Sequence, residues 1–119
     1  MTNALSAIHR LATYGTFPPG RANHHVVAPI GGIWREGYLE GRTRAALRGR
    51  WKGYAGFEPE PAGPHLAAWL LEAAALPDHW ERLDRFEGDA FQRLTVDFHL
   101  TTGETLPAQV YVLGDTASF

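Results

Sequence analysis

The chain has 119 residues, enough for one ordinary domain spanning 1–119 and too few for two independent cores. Apolar residues make up 45% and charged residues 20%, a globular rather than a disordered balance, and a net charge of −2 argues against a general polyanion binder. There is no cysteine, which excludes disulfides, thiolate metal sites and a cysteine nucleophile.

Met1 to Arg10 lacks the basic start and sustained apolar run of a signal peptide. No apolar run approaches the ~20 residues that span a bilayer. The expected location is the cytoplasm. Ten Arg against one Lys, with many Ala and Gly, point to a GC-rich bacterial genome. Ile8 to Tyr14 reads as a first strand, ending in the breaker cluster Gly15-Thr16-Phe17-Pro18-Pro19-Gly20. Arg21 to Val27 has room for one short helical turn before Pro29 and Gly31-Gly32 break the chain. Ile33 to Leu47 is β-compatible, with Gly37 and Gly41 as bends or bulges. Arg48 to Gly63 reads as a loop; its Trp51, Tyr54 and Phe57 are of the kind that cover a core or line a pocket.

His65 to Ala73 fits helix or buried strand by period. Pro64 and Pro77 leave little room for a helix, so the spacing favours a strand. Pro77 to Glu87 is the clearest helix, with Pro77 and Asp78 at its start and Gly88 at its stop. Phe91 to Leu100 alternates as a half-buried strand, with Gln92, Leu94, Val96, Phe98 and Leu100 on one face. A turn at Thr102-Gly103-Glu104 leads to a return strand, Leu106 to Leu113, completing a hairpin. Mostly strands with one good helix predict an α+β fold built on an antiparallel sheet or small barrel.

The serines are Ser6 and Ser118, near the two chain ends, which disfavours a serine nucleophile. The histidines at 9, 24, 25, 65, 79 and 99 form no tight ligand spacing, so no metal is expected. The informative acid is Glu87. Leu76, Trp80, Leu83 and Glu87 form one helical stripe, and it is the apolar one. Burial and the helix C-terminus would both raise this carboxyl's pKa and make it an acid–base group near neutral pH. The spacing fits equally a solvated last-turn residue before a glycine cap. Tyr14-Gly15-Thr16-Phe17 places a glycine at a strand end, where backbone N–H groups can hold a carboxylate or an oxyanion, although most such junctions are only turns. Arg42, Arg44, Arg48, Arg50 and Lys52 form a basic run with no acid between Glu40 and Glu58. A solvated face, or one Arg for a substrate carboxylate, fits this run better than nucleic acid.

Tyr14-Gly15-Thr16-Phe17-Pro18-Pro19-Gly20 followed by Asn23-His24 resembles the Y-G-[ST]-L…P-G…N-H opening of the gamma-glutamylcyclotransferase-like (AIG2-like) family. Leu83-Asp84-Arg85-Phe86-Glu87-Gly88, with Phe91 and Arg93, is similar to its L-D-x-[FY]-E-G-x-x-[YF]-x-R segment, and Pro107 to Val112 to its closing A-x-x-Y-V strand. The likeness runs from Leu11 to Asp115. Phe17, Pro18 and Phe91 depart from the usual residues, and Phe17 and Pro18 are expected at the pocket mouth. The resemblance implies a small mixed β-barrel flanked by helices, with a cavity between the Tyr14–Phe17 loop and the end of the Glu87 helix. It also implies a reaction in which the α-amino group of a γ-glutamyl compound attacks its own γ-carbonyl, giving 5-oxoproline and a free amine. Glu87 would then move the proton, the amides of Gly15, Thr16 and Phe17 would hold substrate oxygens, and Tyr14 and Tyr111 would be walls or hydrogen-bonding groups. No cofactor is implied. The partner is a small γ-glutamyl substrate, with no nucleic acid or membrane, and the chain is expected as a monomer or weak homodimer. A non-catalytic module binding a small carboxylate or amide metabolite is the alternative, ahead of a structural domain with a vestigial pocket.

Overall fold

The computed structural model describes residues 5–114. Residues 1–4 of the leader reading, Asp115 at the end of the family-like stretch, and Ser118 lie outside them.

The first strand is shorter than expected. Residues Ala7–His9 form a 3-10 turn, and β1 is Arg10–Thr13. Ser6 explains this, because its backbone N–H donates to His9 Nδ1 at 3.0 Å and its hydroxyl lies 3.2 Å from the same atom. Such local bonds compete with an extended backbone. After the breaker loop come α1 (His24–Val27) and the long β2 (Ile33–Ala45). The expected loop after β2 contains a strand, β3 (Ala55–Pro59), which corrects the reading of residues 48–63. The remaining elements are β4 (His65–Glu72), a 3-10 turn over Leu76–His79 leading into α2 (Trp80–Glu87), β5 (Phe91–Leu100) and β6 (Thr105–Leu113).

The strands close a mixed barrel, as expected from the resemblance. The sheet order is β1-β4-β2-β3-β6-β5, and β1 also pairs in parallel with β6, Leu11 opposite Gln109. β2 makes closure possible by changing partners along its length. Its first half pairs with β4, Gly37 and Tyr38 meet Leu100 and His99 of β5, and Gly41–Ala45 pairs with β3. Gly37 is required at this crossing, since a Cβ there would collide with the His99 carbonyl and the Phe98 ring.

Two apolar clusters follow from alternation on strands covered on both sides. Ala12, Leu70, Ala108, Val110 and Val112 face the barrel interior with Leu39, Phe57 and Phe98. Their neighbours Leu11, Leu71 and Tyr111 face outward, under Leu76, Trp80 and Leu83 of the helical segment. β5 departs from the simple alternation. Phe98 and Leu100 are buried as expected, but Gln92 and Leu94 are exposed, while Phe91 and Arg93 are half-buried. The cause is a change of cover along the strand: its last residues join the barrel interior, and Arg93 at its start is held by α2.

Candidate active site

A cavity of about 200 Å³ opens where β1, the loop after it, the loop after β2 and the end of α2 meet. Its inner wall is Leu11 to Thr13; Gly15, Thr16 and Phe17 form one side, Trp51 and Tyr54 another, and Phe86, Glu87, Phe91 and Tyr111 the rest. All six residues singled out in the sequence (Tyr14, Gly15, Thr16, Phe17, Glu87 and Tyr111) therefore border one space. Pro18 is buried and does not line it, contrary to its expected place at the mouth.

Glu87 is the last residue of α2, and Gly88 ends the helix with φ 81°, its N–H bonded to the Asp84 carbonyl at 3.1 Å. With Leu76, Trp80 and Leu83 anchored in the outer cluster, the same stripe carries Glu87 half-buried into the cavity wall. Burial pushes its carboxyl up to about 7; the Arg50 cation opposes the rise, and the Asp84 carboxylate adds to it. Among the described residues Glu87 has no hydrogen-bond or ion-pair partner, so its proton is free for exchange with a bound molecule.

The loop after β1 is held by its own side chains. Asn23 Nδ2 donates to Thr16 Oγ1 at 2.8 Å, the Asn23 N–H donates to the Thr16 carbonyl at 3.0 Å, and Arg21 donates to the Gly15 carbonyl at 2.8 Å. His24 Nδ1 lies 2.9 Å from the Phe17 carbonyl. These bonds use the carbonyls. The N–H groups of Gly15, Thr16 and Phe17 donate to no acceptor among the described residues. A run of unpaired amides beside an apolar cavity suits an anionic or carbonyl oxygen. Gly15 needs no special backbone, and a Cβ there would meet nothing within 4 Å. The space beside it is open.

The two tyrosines are walls. Tyr14 donates its hydroxyl to the Tyr111 carbonyl at 2.8 Å and accepts the Phe57 N–H at 3.0 Å. Tyr111 donates to Asp84 Oδ1 at 2.6 Å. Burial holds both phenols well above their usual range, so neither is an acid–base group at neutral pH. Asp84 and Arg93 were legible only as part of a motif, and the structure supplies their purpose. Arg93 Nε meets Asp84 Oδ1 at 2.9 Å, and its guanidinium lies 4.4 Å from the Trp80 ring centre, joining β5 to α2. Burial alone would raise the Asp84 carboxyl, but the bonds from Arg93 and Tyr111 outweigh it and hold it below its ordinary value. Trp51 donates its indole N–H to the Phe86 carbonyl at 3.0 Å, fastening the loop after β2 to the helix end. Among the described residues no group of three or more His, Cys, Asp or Glu could hold a metal ion.

A closed mixed barrel with an unpartnered glutamate at a helix end facing a cavity defines the class of protein. The model of the family described as gamma-glutamyl cyclotransferase, AIG2-like, matches residues 11–118, and the chain belongs to that family. No curated protein matches the sequence. Among solved structures it is similar to YkqA from Bacillus subtilis (22% identity, TM-score 0.67), covering 89% of this chain and only 36% of that one. It is also similar to an Arabidopsis thaliana protein solved in solution (21% identity, TM-score 0.65), covering 92% of this chain and 70% of that one. An AIG2-like protein from Mus musculus has 18% identity and a TM-score of 0.65, with coverage of 89% and 77%. At these identities the likeness concerns the fold.

Proposed function

We propose that the protein is a cyclotransferase that releases 5-oxoproline from a γ-glutamyl amine or γ-glutamyl peptide, with Glu87 as its general acid–base residue. The observation that carries this reading is a half-buried, unpartnered carboxyl near pKa 7 in a cavity that also borders three unpaired amides. The cavity is below the about 300–1,000 Å³ typical of drug-sized ligands, which suits a glutamyl group with the rest of the substrate outside. The substrate carries its own nucleophile, so a chain without cysteine suffices.

Glu87 ionised accepts a proton from the substrate's α-ammonium group. The freed amine attacks the γ-carbonyl carbon, and the carbonyl electron pair moves onto oxygen. The amides of Gly15, Thr16 and Phe17 stabilise that oxygen or the substrate carboxylate. The carbonyl re-forms as the scissile C–N bond breaks, and Glu87 returns the proton to the leaving nitrogen; the carboxylate then takes the second proton from the ring nitrogen and passes it to the released amine, which departs as an ammonium and leaves Glu87 ionised again. A pKa near ambient pH lets one group serve both steps. We further propose that the protein acts in the cytoplasm as a monomer or weak homodimer, without cofactor, nucleic acid or membrane; no helix of the described chain is long and apolar enough to cross a bilayer.

The test is 5-oxoproline release from a panel of γ-glutamyl amines, amino acids and peptides. Release from at least one supports the enzyme. Binding of 5-oxoproline by calorimetry with no turnover of any panel member would support the non-catalytic alternative instead.

A further inference from the structure

The basic run, which begins at the end of β2 and continues into the loop after it, is mostly engaged. Arg42 pairs with Glu60 at 2.8 Å, Arg44 with Glu58 at 2.6 Å, and Arg48 donates to the Asp89 carbonyl at 3.1 Å. Arg50 differs. It makes no hydrogen bond or close ion pair with a carboxylate or carbonyl among the described residues, and the one carboxyl its charge is seen to act on is that of Glu87. Its guanidinium carbon stands 5.0 Å from the ring centres of both Trp51 and Phe86, and both rings line the cavity. Its Cγ is 4.0 Å from where a Cβ on Gly88 would stand, so its stem crosses the helix end directly after Glu87. Stacking on two rings fixes the position of the cation without neutralising it. Lys52, also exposed, follows Trp51 on the same loop, and the exposed Tyr54 completes that side of the mouth.

We propose that Arg50 is a specificity-determining residue that takes a carboxylate on the leaving group, so that γ-glutamyl amino acids are preferred over γ-glutamyl amines. The proposal rests on the cyclotransferase reading of the cavity. The unpaired amides serve the glutamyl end of the substrate, and the exposed Arg50 cation stands on a different loop, over the Trp51 and Phe86 rings that line the cavity. A cationic leaving group would meet Arg50 and Lys52 with like charge, which disfavours it.

The experiment uses a matched pair, γ-glutamyl-alanine and γ-glutamyl-ethylamine, which differ at the leaving group by one carboxylate. Wild-type kcat/KM should favour the alanine compound by about fivefold to tenfold at low salt, the scale of a partly exposed charge-assisted pair, and less as salt rises. Arg50→Met should reduce the ratio to near one, and Arg50→Lys should keep part of it. Any effect of Arg50 on Glu87 acts on both substrates alike and cancels in the ratio. Affinities of the pair for Glu87→Gln, with and without Arg50→Met, give the same ratio without chemistry. An Arg50-dependent preference in binding with no turnover in wild type supports the subsite and overturns the enzyme reading. Turnover with a ratio near one in wild type, or a ratio unchanged in Arg50→Met, overturns the subsite and leaves the enzyme reading standing. No binding of either compound overturns both.

Discussion

At the scale of single residues, Glu87 is distinguished by what it lacks. Other acids of its segment are paired or open to water: Asp84 meets Arg93 and Tyr111, and Glu81 meets Arg85 at 3.2 Å on the surface. Glu87 meets only the cavity and the fields of Arg50 and Asp84. Glu87→Gln keeps the shape and removes the exchangeable proton. It should lower turnover on the order of a hundredfold or more, read as kcat on the best γ-glutamyl substrate; a Gln variant with wild-type kcat would remove Glu87 from the mechanism. Asp84 gives a second handle. Its negative charge raises the Glu87 pKa, so Asp84→Asn should move the acid limb of the kcat/KM–pH profile below about 7. An upward move would contradict the electrostatic account.

At the scale of elements, the sequence was most legible where one pattern dominated. The β5–β6 hairpin and β4 stand at nearly the expected bounds, because alternation and flanking breakers agreed. β3 was missed because Gly56 and Pro59 read as loop residues. Both have reasons visible only in three dimensions: a Cβ on Gly56 would strike the Leu113 side chain, and Pro59 ends the strand. The Glu87 stripe was legible as a pattern, but spacing could not separate a cavity from solvent. Only the loop carrying Trp51 and Tyr54, folded back onto the end of α2, makes that difference. Two glycines show the contrast between holding the fold and leaving room beside it. Gly37→Ala should destabilise the protein by about 1–3 kcal/mol in denaturant unfolding, since the barrel crossing has no space for a Cβ. Gly15→Val should fold normally, its side chain meeting only open space, and should lose 5-oxoproline binding in calorimetry. Unchanged affinity in that variant would count against the loop as a binding element.

At the scale of the whole molecule, a barrel sealed by β1–β6 pairing and capped by helices carries one costly feature, a carboxyl held away from water. An ordinary glutamate ionises at 4.5 and Glu87 at about 7. Between these values the unfolded chain holds fewer protons than the folded one, so stability falls as pH rises through that window. The full loss is at most about 3 kcal/mol, with solvent screening at the cavity mouth reducing it. Glu87→Gln should therefore be more stable than wild type at pH 8 and nearly equal to it at pH 4. Equal stability at both would mean that the carboxyl is not buried in the folded state.

The central claim is that Glu87 stands in the cavity as a carboxyl poised near neutrality. Its most direct test is an NMR titration of the Glu87 side-chain carboxyl carbon in the folded protein, assigned by its loss in Glu87→Gln. The account predicts a midpoint near 7 that moves when 5-oxoproline is added. A midpoint at the ordinary 4.5, unmoved by ligand, would contradict it.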